Sequence, residues 1–138
     1  MKNLFIDTNI IIDLLAKRSE YTVAAEIFTL ADKGEIELYV SSLSFSHMQY
    51  ILRKILGNDK AIKVLRDLEL VVVISPVDGK IVKLALNDDD FKDFEDGLQY
   101  YCALEAGADV IITRNLKDFK SSKIPVMTAK QFLSLKEK

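Results

Sequence analysis

With 138 residues, 49% of them apolar and 29% charged, the chain can bury one sizeable core and is too well mixed to read as a disordered tail. A net charge of -2, from 19 basic and 21 acidic residues, excludes a broad electrostatic hold on nucleic acid or on an anionic membrane. Any such ligand would need a local basic rim or a bound cation. The lone Cys102 excludes an intrachain disulfide and a multi-cysteine metal site, and its apolar helical context suits a core residue.

In chain order, "NLFID" is a short apolar run, the pattern of a strand buried on both faces. "TNIIIDLLAKR" follows as a helix, with Ile11, Leu14 and Leu15 on one face and Lys17 and Arg18 at its end. "YTVAAEIFTLADKG" is a second helix that Gly34 stops. "IELYVS" is a strand, and "SLSFSHMQYILRKILG" a helix for which Ser44 is a natural N-cap. "DKAIKVLRDL" is a helix capped by Asn58 or Asp59. "LVVVIS", the most β-branched run, is expected to be a central strand ended by Pro76. "DGKIVKLALND" is helical, and the acidic "NDDD" after it reads as a solvated loop. "FEDGLQYYCALEAG" is a helix ended by Gly107, "DVIITRN" and "IPVMT" are strands, and "AKQFLSLKEK" closes the chain as a helix capped by Thr128. Strands that alternate with helices predict one α/β domain over residues 1–138, with a mostly parallel five-stranded sheet between helical layers. No run is long and apolar enough to span a bilayer, and the N-terminus lacks a signal-peptide pattern, so a soluble cytoplasmic protein is expected.

In such sheets ligands bind outside the carboxyl ends of the strands. Asp7 ends the first strand, where it can either cap the next helix or serve as a firmly placed ligand. Ser41, Ser42, Ser44 and His47 follow the second strand. Asp93, Glu95 and Asp96 gather at a later helix start, where the helix dipole also favours them. Gly97 beside Asp96 is expected to leave room for a ligand. "TRNLKDF" ends the fourth strand: Thr113 and Asn115 suit a metal-held water or a phosphate oxygen, and Arg114 and Lys117 suit phosphates or a solvated loop. Acids that converge without His or Cys partners repel one another and suit a hard cation such as Mg²⁺ or Mn²⁺. The chemistry such a site serves best is phosphodiester hydrolysis.

Taken together, "FIDTNIIIDLL", "SSLSFSHMQYIL", "DFEDGLQYYCALEAGADVIITRN" and "LKDF" resemble the PIN domain, and within it the VapC-type toxin ribonucleases with a "DFEDGL"-like motif. The resemblance covers nearly the whole chain. It implies an Mg²⁺- or Mn²⁺-dependent endoribonuclease acting on single-stranded RNA, neutralised by a cognate antitoxin protein and assembled as a homodimer, with no membrane role. Asp7 and Asp96 match acids of the family and would hold the metal. Asn115 falls where many relatives carry another acid, with Asp118 close by. Thr8, Asn9 and Thr113 match polar neighbours of those acids, and Asp93 matches an additional acid of the subgroup. Relatives place a glutamate where this chain has His47. That histidine is either a half-exposed residue near a helix start or a contact to metal, water or phosphate. The substitution keeps a second reading open: a catalytically degenerate PIN-fold module that binds RNA or protein.

Overall fold

The structure, a computed structural model, describes residues 2–136. The elements run β1 (Lys2–Ile6), α1 (Thr8–Leu15), α2 (Tyr21–Asp32), β2 (Ile36–Ser41), α3 (Ser42–Leu56), α4 (Asn58–Glu69) and β3 (Val73–Ser75). Then come α5 (Gly79–Leu86), α6 (Phe94–Glu105), β4 (Val110–Ile112), a 3-10 turn (Leu116–Phe119), β5 (Val126–Met127) and α7 (Ala129–Lys136). All strand pairs are parallel, in the order β3-β2-β1-β4-β5. The chain winds outward from β1 to β3, then crosses back to β4 on the other side of β1. The strand order therefore reverses between β1 and β4, where a crevice opens above the sheet.

The period-two alternation of strand side chains assigns the two faces. Leu4 and Ile6 of β1 join one core with Leu38, Val40, Val110 and Ile112, covered by α1 to α4 and α7. Phe5 points the other way, into a second core with Ile111, Leu98, Tyr100 and Phe119, under α5 and α6. Cys102 belongs to this second core, and burial pushes its thiol up to about 11. The expected three-layer α/β architecture is thus what the chain adopts.

Three local expectations are corrected. The "LVVVIS" run is the edge of the sheet, not its centre: β3 spans Val73–Ser75, and Val73 and Ile74 are exposed. The α3 N-cap is Ser41, whose Oγ accepts the Leu43 N–H at 3.1 Å, while Ser44 is buried within the helix. Helix α4 has no side-chain cap and starts after Gly57, whose φ of 85° suits glycine alone. Thr128 does cap α7, accepting the Gln131 N–H at 3.1 Å. The "NDDD" loop is more tied down than a solvated loop: Asp88 accepts the Tyr101 hydroxyl at 2.6 Å and the Asp90 N–H at 2.9 Å.

Gly97 does not open space for a ligand. It is buried where α6 packs on α5, and an added Cβ would lie 3.5 Å from Ala85 Cβ and 3.6 Å from Phe91 Cβ, ordinary contact. Gly97→Ala should therefore stabilise the protein by up to about 1 kcal/mol through helix propensity, raising Tm by roughly 3 °C. A thermal melt in which the variant unfolds earlier would show that the α5–α6 contact has no room for a methyl.

Candidate metal and phosphodiester site

Register builds the centre of the site. Ile6 pairs with Ile112, so Asp7 and Thr113, the next residues out, also face each other. The Asp7 N–H donates to Ile112 O at 3.0 Å, and the Thr113 hydroxyl donates to Asp7 Oδ2 at 2.8 Å. That hydroxyl oxygen in turn accepts the Asn115 N–H at 3.1 Å. Asp7 occupies the N-cap position of α1, yet its side chain makes no capping bond. The carboxylate is bonded instead across the sheet edge to Thr113. Burial raises its pKa; the Thr113 hydroxyl and then the Thr8 backbone N–H oppose that rise, and the charges of Asp118 and Glu95 add to it.

The other acids come from α6 and the 3-10 turn. Asp96 is pushed up to about 7, first by burial and then by Asp118, Asp93, Asp7 and Glu95, whose negative charges converge on it. Asp118 is aimed by a short device: its N–H donates to Asn115 O at 3.0 Å, and the next residue, Phe119, is locked in the core. Asp93 caps α6 by accepting the Glu95 N–H at 2.8 Å. These five acids surround a cleft of about 200 Å³, joined there by Thr8, Asn9, His47 and Gln99.

The floor of the cleft is a buried polar triad that ties one helical layer to the other. Thr8 and Ser44 share a hydroxyl hydrogen bond at 2.6 Å, and Gln99 Nε2 donates to Thr8 Oγ1 at 3.0 Å and Ser44 Oγ at 3.2 Å. Gln99 Oε1 is buried with no partner. Above the floor, His47 of α3 meets Glu95 of α6, Nδ1 to Oε1 at 3.3 Å, both side chains half-exposed.

The donor set fits a hard divalent cation. The oxygens are carboxylates, the pKa values of Asp7 and Asp96 are raised by burial and mutual repulsion, and among the described residues no Lys or Arg pairs with Asp7, Asp96 or Asp118. Among the described residues no three His, Cys, Asp or Glu side chains are yet drawn into a coordination group, so the acids stand around the cleft rather than in a closed shell.

A family model for the PIN domain matches residues 3–117. The chain belongs to the PIN domain family. It is 33% identical to Ribonuclease VapC1 of Aquifex aeolicus, over 95% of this chain and 93% of that protein. Among solved structures, VapBC-1 from nontypeable Haemophilus influenzae superposes with a TM-score of 0.71 at 20% identity, covering 93% of this chain and 98% of that one. Mycobacterium tuberculosis VapC20, a sarcin-ricin loop cleaving toxin, superposes with a TM-score of 0.62 at 16% identity, covering 78% and 86%. At those identities the two structures speak for the fold. Among the described residues, no helix is long and apolar enough to cross a membrane.

Against this PIN-domain frame, Asp7, Thr8, Asn9, His47, Asp93, Asp96 and Asp118 of the sequence-based site do line one cleft. Ser44 and Thr113 lie behind it, holding Thr8 and Asp7. Two expected residues do not join. The Asn115 side chain is not in the cleft wall; its backbone forms the turn that delivers Asp118. Arg114 turns instead to α1, its Nε 3.3 Å from Asp13 Oδ2, and borders a different cleft with Ile10, Val23 and Lys130. Residue-type reasoning undervalued Glu95 and missed Gln99. Their spacing held the signal, because 95, 96 and 99 share one face of a helix.

Proposed function

We propose that this PIN domain is a metal-dependent endoribonuclease that hydrolyses phosphodiester bonds of single-stranded RNA, the toxin of a toxin–antitoxin pair. The observation that carries the reading is the uncompensated group of Asp7, Asp96 and Asp118 at the β1/β4 crevice, with Asp96 raised to about 7. The named activities of the relatives point the same way, and VapBC pairs among the structural neighbours support an antitoxin partner. The PIN-domain resemblance supports a homodimer.

Asp7, Asp96 and Asp118 would hold Mg²⁺ or Mn²⁺, with Glu95 able to complete the set. A divalent cation bound there supplies charge neutralisation at the phosphate and a water acidic enough to attack it. The chain's own residues do the aiming. Thr113 fixes Asp7 in rotation through the bond to Oδ2, at the wall of the cleft. The Thr8–Ser44–Gln99 floor keeps α1, α3 and α6 in register beneath the substrate. His47, with Nδ1 3.3 Å from Glu95 Oε1, stands beside that carboxylate at the cleft rim.

Purified protein should cleave unstructured RNA with Mn²⁺ or Mg²⁺ and stop on adding EDTA, read by gel electrophoresis of end-labelled oligonucleotides. No cleavage with either ion would favour the second reading, a PIN module that binds without cutting. His47 on α3, a residue without the negative charge a cation needs, is the observation behind that alternative.

A further inference from the structure

The acidic cleft is the middle of a longer track. On one side it opens into a hollow of about 340 Å³ that shares Asp93, Asp96 and Asp118 with it and is rimmed by Lys92, Lys117 and Lys120, with Asp90 among them. On the other side it opens, through His47 and Glu95, into a groove of about 360 Å³ walled by Leu43, Ser46 and Tyr50. Leu43 and Tyr50 are exposed there, Tyr50 at 49%. For a chain of net charge -2, this places the basic rim and the exposed aromatic surface on the two flanks of the acidic centre.

Tyr50 is also built as a platform rather than left loose. Lys54 Nζ lies 4.0 Å from its ring centroid and donates to its hydroxyl at 2.8 Å, and Arg53 Cζ lies 5.3 Å from the centroid. These cations follow Tyr50 by three and four residues in α3, whereas the groove residues Leu43, Ser46 and His47 precede it. The cations and the groove residues therefore meet Tyr50 from opposite ends of the helix. The Lys54 bond to the hydroxyl holds the ring in place, and the two cations add positive charge beside a site open to a flat ligand.

We propose that Tyr50 is a base-stacking subsite: a nucleobase of single-stranded RNA next to the cleaved phosphodiester stacks on its groove side, with Arg53 and Lys54 beside the adjoining phosphate. The opposite flank of the strand runs along Lys92, Lys117 and Lys120. The subsite rests on the ribonuclease reading above, and it adds what that reading lacks, a means of attracting RNA to an acidic cleft. Stacking on an aromatic side chain is tolerant of base identity, so the subsite selects single strands over duplexes.

The chain has no tryptophan, so Tyr50→Trp creates a single-tryptophan reporter. With Ca²⁺ as the cation, a short oligouridylate should quench its emission, and a sugar–phosphate chain lacking bases should not. Tyr50→Ala should raise KM for RNA cleavage by about 10- to 100-fold with little change in kcat, while Tyr50→Phe stays near the parent. Circular dichroism melts check that each variant folds. Unquenched indole emission from Tyr50→Trp together with an unchanged KM for Tyr50→Ala would overturn the subsite even if cleavage proceeds normally. Quenching by the oligonucleotide in a protein that cuts no RNA would uphold the subsite and sink the nuclease reading. Loss of antitoxin capture in Tyr50→Ala with RNA affinity intact would overturn it in favour of a protein-docking face.

Discussion

Asp96→Asn is expected to slow RNA cleavage by about 100-fold or more while making the cation-free protein more stable above pH 7. Both halves come from the same crowding. Asp96 sits among Asp118, Asp93, Asp7 and Glu95, and its carboxyl is raised to about 7. A group that stabilises charge in a reaction centre typically carries a rate factor on the order of 10² to 10³. A carboxyl whose pKa rises on folding binds its proton more tightly in the folded state. Its contribution to stability is therefore whole below the unfolded value of 3.8 and is lost as pH climbs to about 7, above which the deficit is constant. Asparagine has no such deficit, so the advantage of the variant should appear between those values and level off beyond them. Asp96 is partly solvated, which limits the gain to about 1–2 kcal/mol, a few degrees in Tm. Mn²⁺ should raise the Tm of the parent and close the gap, because the cation supplies the missing counter-charge to the folded state alone. Melting curves of both proteins across pH, with and without Mn²⁺, decide the matter. If the variant lost stability at pH 8, Asp96 would be a structural acid at a helix start and no part of a cation site.

The sheet and the two acids at its edge were legible because they rest on local pattern. Leu4, Phe5 and Ile6 form a run that only a doubly covered strand explains, and all three are fully buried. Once β1 is central, Asp7 must emerge at the carboxyl edge. The helix that carries Asp96 was legible from its own periodicity, and the βα order brings its start to the same edge. "LVVVIS" misled for the opposite reason. β-branched residues report a pleated surface, not a position within the sheet, and here three of the run's residues suffice for an edge strand beside β2.

What the sequence hid depends on direction within a turn. Asn115 and Asp118 are three residues apart, and nothing in the string says which of them the 3-10 turn carries inward. The buried Phe119 settles it, since its anchorage leaves Asp118 toward the cleft. Residue type led Glu95 to be undervalued and hid Gln99: a glutamate in a first turn looks like a dipole partner, and a glutamine in a helix looks like surface. Gln99 is buried instead, bonded to hydroxyls from α1 and α3, a contact across sequence separations of 91 and 55 residues that no local window contains.

Asp13 was invisible for the same reason, and it gives the sharpest stability effect. Its carboxylate is fully buried, and its ion pair with Arg114 Nε at 3.3 Å lacks the alignment of a hydrogen bond, leaving both oxygens without one. Burial raises its pKa, and Arg114 and then Arg18 pull it back. The partners are unequal: Arg114 is 38% exposed and can be solvated alone, whereas Asp13 cannot. Arg114→Ala should therefore cost about 3–5 kcal/mol near pH 8, the usual penalty for stranding a buried charge. Asp13→Asn should cost no more than about 1 kcal/mol, because it removes the buried charge and leaves the solvated one. With Arg114 gone, the Asp13 pKa rises further, so the folded protein keeps a neutral Asp13 at low pH and loses stability as pH increases. Urea unfolding at pH 5 and pH 8 should show the cost of Arg114→Ala shrinking on the acid side. Thr113, next to Arg114, holds Asp7, so this pair also pins the β4 exit against α1 and keeps the reaction centre in register. Were Arg114 a phosphate contact instead, its removal would raise KM for RNA and leave the unfolding curve unchanged, and the clasp to Asp13 would have to be abandoned.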